Sequence, residues 1–90
     1  MNLVFISPKK TADFSVLWLE ITTRINEHIL GNRVIKDEHA PALFVLAPNT
    51  PLLFCLLDGK IETYSSSALG GIVHIQERNK VLVYLNNLPS

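Results

Sequence analysis

The stretch APALFVLAPNTPLLFCLL, Ala40 to Leu57, runs for eighteen residues without a charge. About eighteen apolar residues are the usual length that crosses a bilayer as a helix. The segment is therefore either a membrane span or a buried part of a globule, and its prolines decide between them. Pro41, Pro48 and Pro51 each lack an amide donor. In a helix each would cost roughly 3 kcal/mol and interrupt the hydrogen-bond ladder. Read as extended chain, the same residues fit: ALFVLA (42–47) and LLFCLL (52–57) have strand length, and Pro-Asn-Thr-Pro between them is turn chemistry. The segment predicts two buried strands and no membrane span.

Both strands are apolar on both sides. Leu43, Val45 and Ala47 alternate with Ala42, Phe44 and Leu46, and Leu53, Cys55 and Leu57 alternate with Leu52, Phe54 and Leu56. A strand of that kind needs cover on both faces of its sheet, so the rest of the chain has to provide two layers.

The periodicity of ADFSVLWLEITTRINEHIL predicts one long helix over 12–30, stopped at Gly31-Asn32, with Asp13 in its first turn. At about 100° per residue, Phe14, Leu17, Trp18, Ile21, Ile25 and Ile29 share one stripe facing the sheet. Val16, Leu19 and Leu30 fall on the opposite side around Thr23. Strands are expected at 2–7, 33–36, 60–67, 72–76 and 80–86, the third entered through the tight turn Asp58-Gly59. The expected fold is a single α+β domain over residues 1–90, β-α-β-β-β-β-β, with the long amphipathic helix packed on a mostly antiparallel sheet of five to seven strands. A small β-barrel with a helix is the competing architecture.

One helix cannot cover two sheet faces, and its second stripe would itself be uncovered. Apolar residues make up 48% of the chain and charged residues only 18%, a thin polar coat for a small object. The functional expectation is a small cytoplasmic interaction, scaffolding or regulatory module. It would pair with another copy, as a homodimer, or with another protein, through Val16, Leu19, Thr23 and Leu30. Eight basic residues balance eight acidic ones, which leaves no long-range field for nucleic acid. Lys9, Lys10, Arg33 and Lys36, offset by Asp37 and Glu38, are a poor electrostatic footprint. The lone Cys55 excludes an internal disulfide and fits a reducing compartment. The start, MNLVFISPKK, lacks a basic segment ahead of its apolar run.

Chemistry has few places to sit. Asp37, Glu38 and His39, with His74 or His28 nearby in space, could supply acid-base groups or metal ligands, but at no spacing that marks a metal motif. The hydroxyls and glycines of YSSSALGG, chiefly Ser65, Ser66, Gly70 and Gly71, could cradle an anion. These two loops carry the alternative expectation of a small-molecule, anion or metal-ion binding domain or weak enzyme. No catalytic residue, metal or cofactor is expected from the sequence.

Overall fold

The computed structural model describes residues 1–26 and 28–86. Among them the chain forms eight strands and no helix. These are β1 (Asn2–Ile6), β2 (Thr11–Arg24), β3 (Leu30–Lys36), β4 (Ala42–Leu46), β5 (Pro51–Leu56), β6 (Ile61–Ser65), β7 (Gly71–Gln76) and β8 (Lys80–Leu85). The α+β expectation is thereby overturned: the segment read as a helix is the longest strand of the molecule, and neither the packed helix nor a barrel accompanied by one exists.

The physical reason lies in β2 itself. Ala12, Phe14 and Val16 point inward at every second position; a bulge at Leu17 then shifts the phase, and Leu19, Ile21 and Thr23 point inward after it. Two period-2 runs offset by one residue imitate helical spacing over a short window. The segment's three Thr, with Phe14, Val16, Trp18 and Ile21, favour a pleated strand. Ile25, Asn26 and His28 lie at bends between β2 and β3, and none of them is helical. The Asn26 side-chain oxygen accepts from the amides of His28 (2.9 Å) and Ile29 (3.1 Å), and Arg24 faces Leu30 across the hairpin.

Strand order is β1-β8-β7-β4-β2-β5-β6, with β3 joined to β2. β1 also pairs with β2, so the order returns on itself through β1, β8, β7, β4 and β2. The result is a flattened barrel with β3 and β6 as its free edges. A sequential meander would have kept neighbours in chain order; here β4 lies beside β7, and β1 runs parallel to β8. The 14-residue length of β2 makes this possible. Its first half pairs with β1 and its second half with β3 and β5, and it touches β4 only at Thr23–Leu46.

The turns follow residue chemistry. Asp58 accepts the Lys60 amide at 2.9 Å in front of Gly59, whose φ of 93° suits glycine. Arg78 and Asn79, both at positive φ, close the β7–β8 hairpin.

The interior is one cluster that includes Leu3 and Phe5 of β1, Val16, Leu19 and Ile21 of β2, Ile35 of β3, and Leu52 and Phe54 of β5. Val73, Ile75, Val81, Val83 and Leu85 complete the side formed by β7 and β8. Four rings meet at one end. The centroid of Phe54 lies 5.3 Å from Phe5, 5.0 Å from Phe14 and 5.3 Å from Tyr64. Burial first, and then the Glu62 carboxylate, raise the Tyr64 phenol above its ordinary pKa, so the ring sits in the cluster as a neutral group.

Candidate functional site

The expected interface residues do not share a surface. Val16 and Leu19 are core residues, Leu19 with no exposed area. Thr23 is buried, with its hydroxyl 3.4 Å from the Gly31 carbonyl. Leu30 alone is exposed, at the start of β3. With the helix gone, the stripe that was to join them does not exist.

The two candidate ligand loops carry ties within the fold. Asp37 accepts an ion pair from the Met1 amino group at 3.1 Å. Glu38, at φ 64°, donates its amide to the Asn79 side chain. The His39 ring lies 2.7 Å through Nδ1 from the Ala40 carbonyl and edge-on to Phe44. His74 is placed on the outer side of β7 and His28 in the β2–β3 turn. The described residues bring no group of three or more His, Cys, Asp or Glu side chains together for a metal ion.

Ser66 is fully buried, and its hydroxyl is committed on two sides. It donates to the Ala47 carbonyl at 2.6 Å and accepts the Thr50 amide at 3.0 Å. The Thr50 hydroxyl donates to the same carbonyl at 2.8 Å. This network fastens the β4–β5 turn to the β6–β7 loop and commits the Ser66 and Thr50 hydroxyls within the fold. Ser65 accepts the Ser67 amide at 3.2 Å within its own loop. Gly70 has φ 71°, and a Cβ there would stand 2.7 Å from the Leu46 carbonyl oxygen; at Gly71 it would stand 2.6 Å from that of Tyr84. Both glycines serve close backbone approach. Cys55 is buried on β5, paired in register with Trp18.

What the structure does expose is one outer sheet face. On β4, β7, β8 and β1 the residues that alternate with the core form rows across the strands. Val45, Ile72, Tyr84 and the half-buried Ile6 make the first row; Leu43, His74 and Leu82 make the second, which ends on the buried Val4. Leu43 and Val45 keep 66% and 65% of their surface exposed, and Ile72 and Tyr84 are exposed beside them. Scattered exposed leucines are ordinary on a surface; a contiguous apolar face marks a contact site.

Next to the first row lies an open groove of about 590 Å³, walled by Ile6, Pro8, Val45, Leu69, Ile72 and Tyr84. Its polar side chains include Ser7 and Asn86, and no lining residue carries a charge. Leu69, at the tip of the β6–β7 loop, is the most exposed of the large hydrophobic residues at 78%. The Ser66 network and the two glycines hold that loop in place, and Leu69, Gly70 and Gly71 of the loop line the groove. Sequence reasoning had marked Leu43 and Val45 as needing cover. It missed Ile72 and Tyr84, whose signal was their alternation with Val73 and Val83.

No family model matches the sequence, and no curated protein matches it. The fold has solved counterparts. One is a chain in the cryo-EM structure of the Tetrahymena thermophila mitochondrial ATP synthase, central stalk and c-ring, with a TM-score of 0.68 and 22% sequence identity. The match covers 100% of this chain and 66% of that one. At that identity the likeness establishes a shared all-β fold. Together with the loss of the helix, that shared fold overturns the expectation of a scaffold that self-associates through a helical stripe. No helix among the described residues is long and apolar enough to cross a membrane, a statement that does not extend to strands.

Proposed function

We propose that this chain is the β-domain of a stalk subunit in a rotary ATP synthase, and that it works by docking on neighbouring subunits. The observation that carries this reading is the match in fold, over 100% of this chain and 66% of its counterpart, to a chain of an ATP synthase central stalk and c-ring structure. The exposed apolar outer face of β4 and β7, continued by Tyr84 of β8, supports it, because subunits of a permanent assembly carry such faces where another subunit completes the packing. The absence of a charged lining in the groove is in keeping with an obligate contact, since charged residues are depleted at interface centres.

The test is isolation of the tagged chain from the cells that naturally express it, in mild detergent, followed by mass spectrometry. On this reading the chain brings down other ATP synthase subunits in comparable amounts. Recovery of the chain alone, or with an unrelated set of proteins, refutes it.

A further inference from the structure

We infer that His74 makes the docking proposed above sensitive to pH: the neighbouring subunit holds the chain while the imidazole is neutral and releases it when the ring is protonated. The inference rests on that docking reading. His74 occupies the middle of the outer face. On β7 it stands in register between Leu43 of β4 and Leu82 of β8, and its own side is half-buried there. One row away on the same side, Ile72 lies between Val45 and Tyr84; one row the other way, Gln76 lies beside Lys80. Beyond Leu82 the row ends on Val4 of β1.

Of the side chains that surround the ring from β4, β7 and β8, Lys80 and Tyr84 are the titratable ones, and Lys80 alone is charged at neutral pH. Glu77 and Arg78 belong to the β7–β8 turn beyond the Gln76–Lys80 pair, and Glu38 reaches that turn through its amide on Asn79. An imidazolium at His74 therefore has leucines on either side and a lysine on the diagonal. In the isolated chain water solvates that charge. A subunit laid over the face removes the water, which costs the charged ring far more than the neutral one, and the Lys80 ammonium adds repulsion of the same sign. Docking and proton release are thereby linked. Docking is fully present above the ordinary imidazole range, near about 6.5, and weakens as pH falls through it.

The experiment captures the tagged full chain from its own cells in mild detergent at about pH 7.5, washes it at about pH 7.5 or about pH 5.5, and measures the retained ATP synthase subunits by mass spectrometry, an interval that spans the ordinary imidazole range. The parent is compared with His74→Gln, which is neutral throughout, and with His39→Gln, which removes an imidazole from the β3–β4 loop instead. Thermal melts at both pH values first establish that each chain is folded; His74→Thr, neutral and suited to a strand, replaces His74→Gln if that variant is not. The parent and His39→Gln are expected to retain about tenfold less at the lower pH, the loss one ordinary imidazole imposes over that interval. His74→Gln is expected to retain equal amounts at both. A loss that His74→Gln shares, or no loss in the parent, overturns the switch and leaves the stalk role standing. Retention that rises in acid only when His74 is present overturns it too, because a carboxylate of the partner then faces the ring. A folded His74→Gln that retains nothing at either pH makes the ring a binding contact and also overturns the switch. A parent that recovers no ATP synthase subunits at the higher pH refutes the stalk role and the switch together.

Discussion

Leu19→Lys is expected to abolish cooperative unfolding of this chain, while Leu17→Lys, two positions earlier, melts within a few degrees of the parent. Leu19 has no exposed surface and faces the core from β2, with Ile35 opposite it on β3 and Phe54 on β5. Replacing it removes an apolar side chain whose burial contributes about 1.5–3 kcal/mol. It also forces an ammonium among hydrocarbon at a further cost of several kcal/mol. Domains of this size have roughly 5–15 kcal/mol in total, with small ones at the lower end. Leu17 sits at the bulge with 49% of its surface exposed, where substitutions usually stay within about 0.5 kcal/mol. A long helix over the same residues demands the reverse, with Leu17 on the buried stripe and Leu19 on the outer one. Thermal unfolding followed by circular dichroism separates the two, and a folded Leu19→Lys contradicts the strand.

The second large effect belongs to Phe54. Its ring is fully buried and packs on Phe5, Phe14 and Tyr64 with centroid distances between 5.0 and 5.3 Å. Phe54→Ala removes the ring shared by these pairs and leaves a cavity that stiff β-strands on every side close poorly. Truncations of this kind cost about 3–5 kcal/mol. With roughly 4–8 °C lost per kcal/mol in a domain this small, the melting temperature is expected to fall by at least about 12 °C. Phe44→Ala is the comparison. That ring is only half-buried on β4, under the Arg33 guanidinium at 4.6 Å, and its loss is expected to cost distinctly less. Equal effects would mean that the aromatic cluster is not the centre of the fold.

Much of the strand layout is legible from local chemistry. Pro48 to Pro51, Asp58-Gly59, the Ala68 to Gly71 loop and the Glu77 to Asn79 turn separate β4, β5, β6, β7 and β8 within a residue or two of where composition places them. Residues 12–24 are not legible in the same way, because a single bulged residue converts two clean alternations into an apparent helical stripe. Strand order is hidden for another reason. The β4–β7 and β1–β8 pairings join segments far apart in sequence, and neither turn chemistry nor periodicity reaches that far.

The site divides along the same line. That Leu43 and Val45 lack cover follows from their alternation with Phe44 and Leu46, and the structure leaves them exposed. That Ile72, Tyr84 and Ile6 stand in the same row requires the register of three strand pairs. Ser66 illustrates the opposite error. A serine between serines reads as loop surface, yet its hydroxyl is buried because Ala47 and Thr50 arrive from the neighbouring turn.

The outer face of β4 and β7, with Tyr84 of β8, is bare in the isolated chain, and the stalk role proposed above requires another subunit to cover it in the assembly. Ile72→Cys tests it through the rate at which a water-soluble maleimide modifies the new thiol, with the parent's buried Cys55 setting the background. The account predicts rapid labelling of the purified chain and labelling slowed at least about tenfold in the isolated ATP synthase. Equal rates in the two states would contradict it.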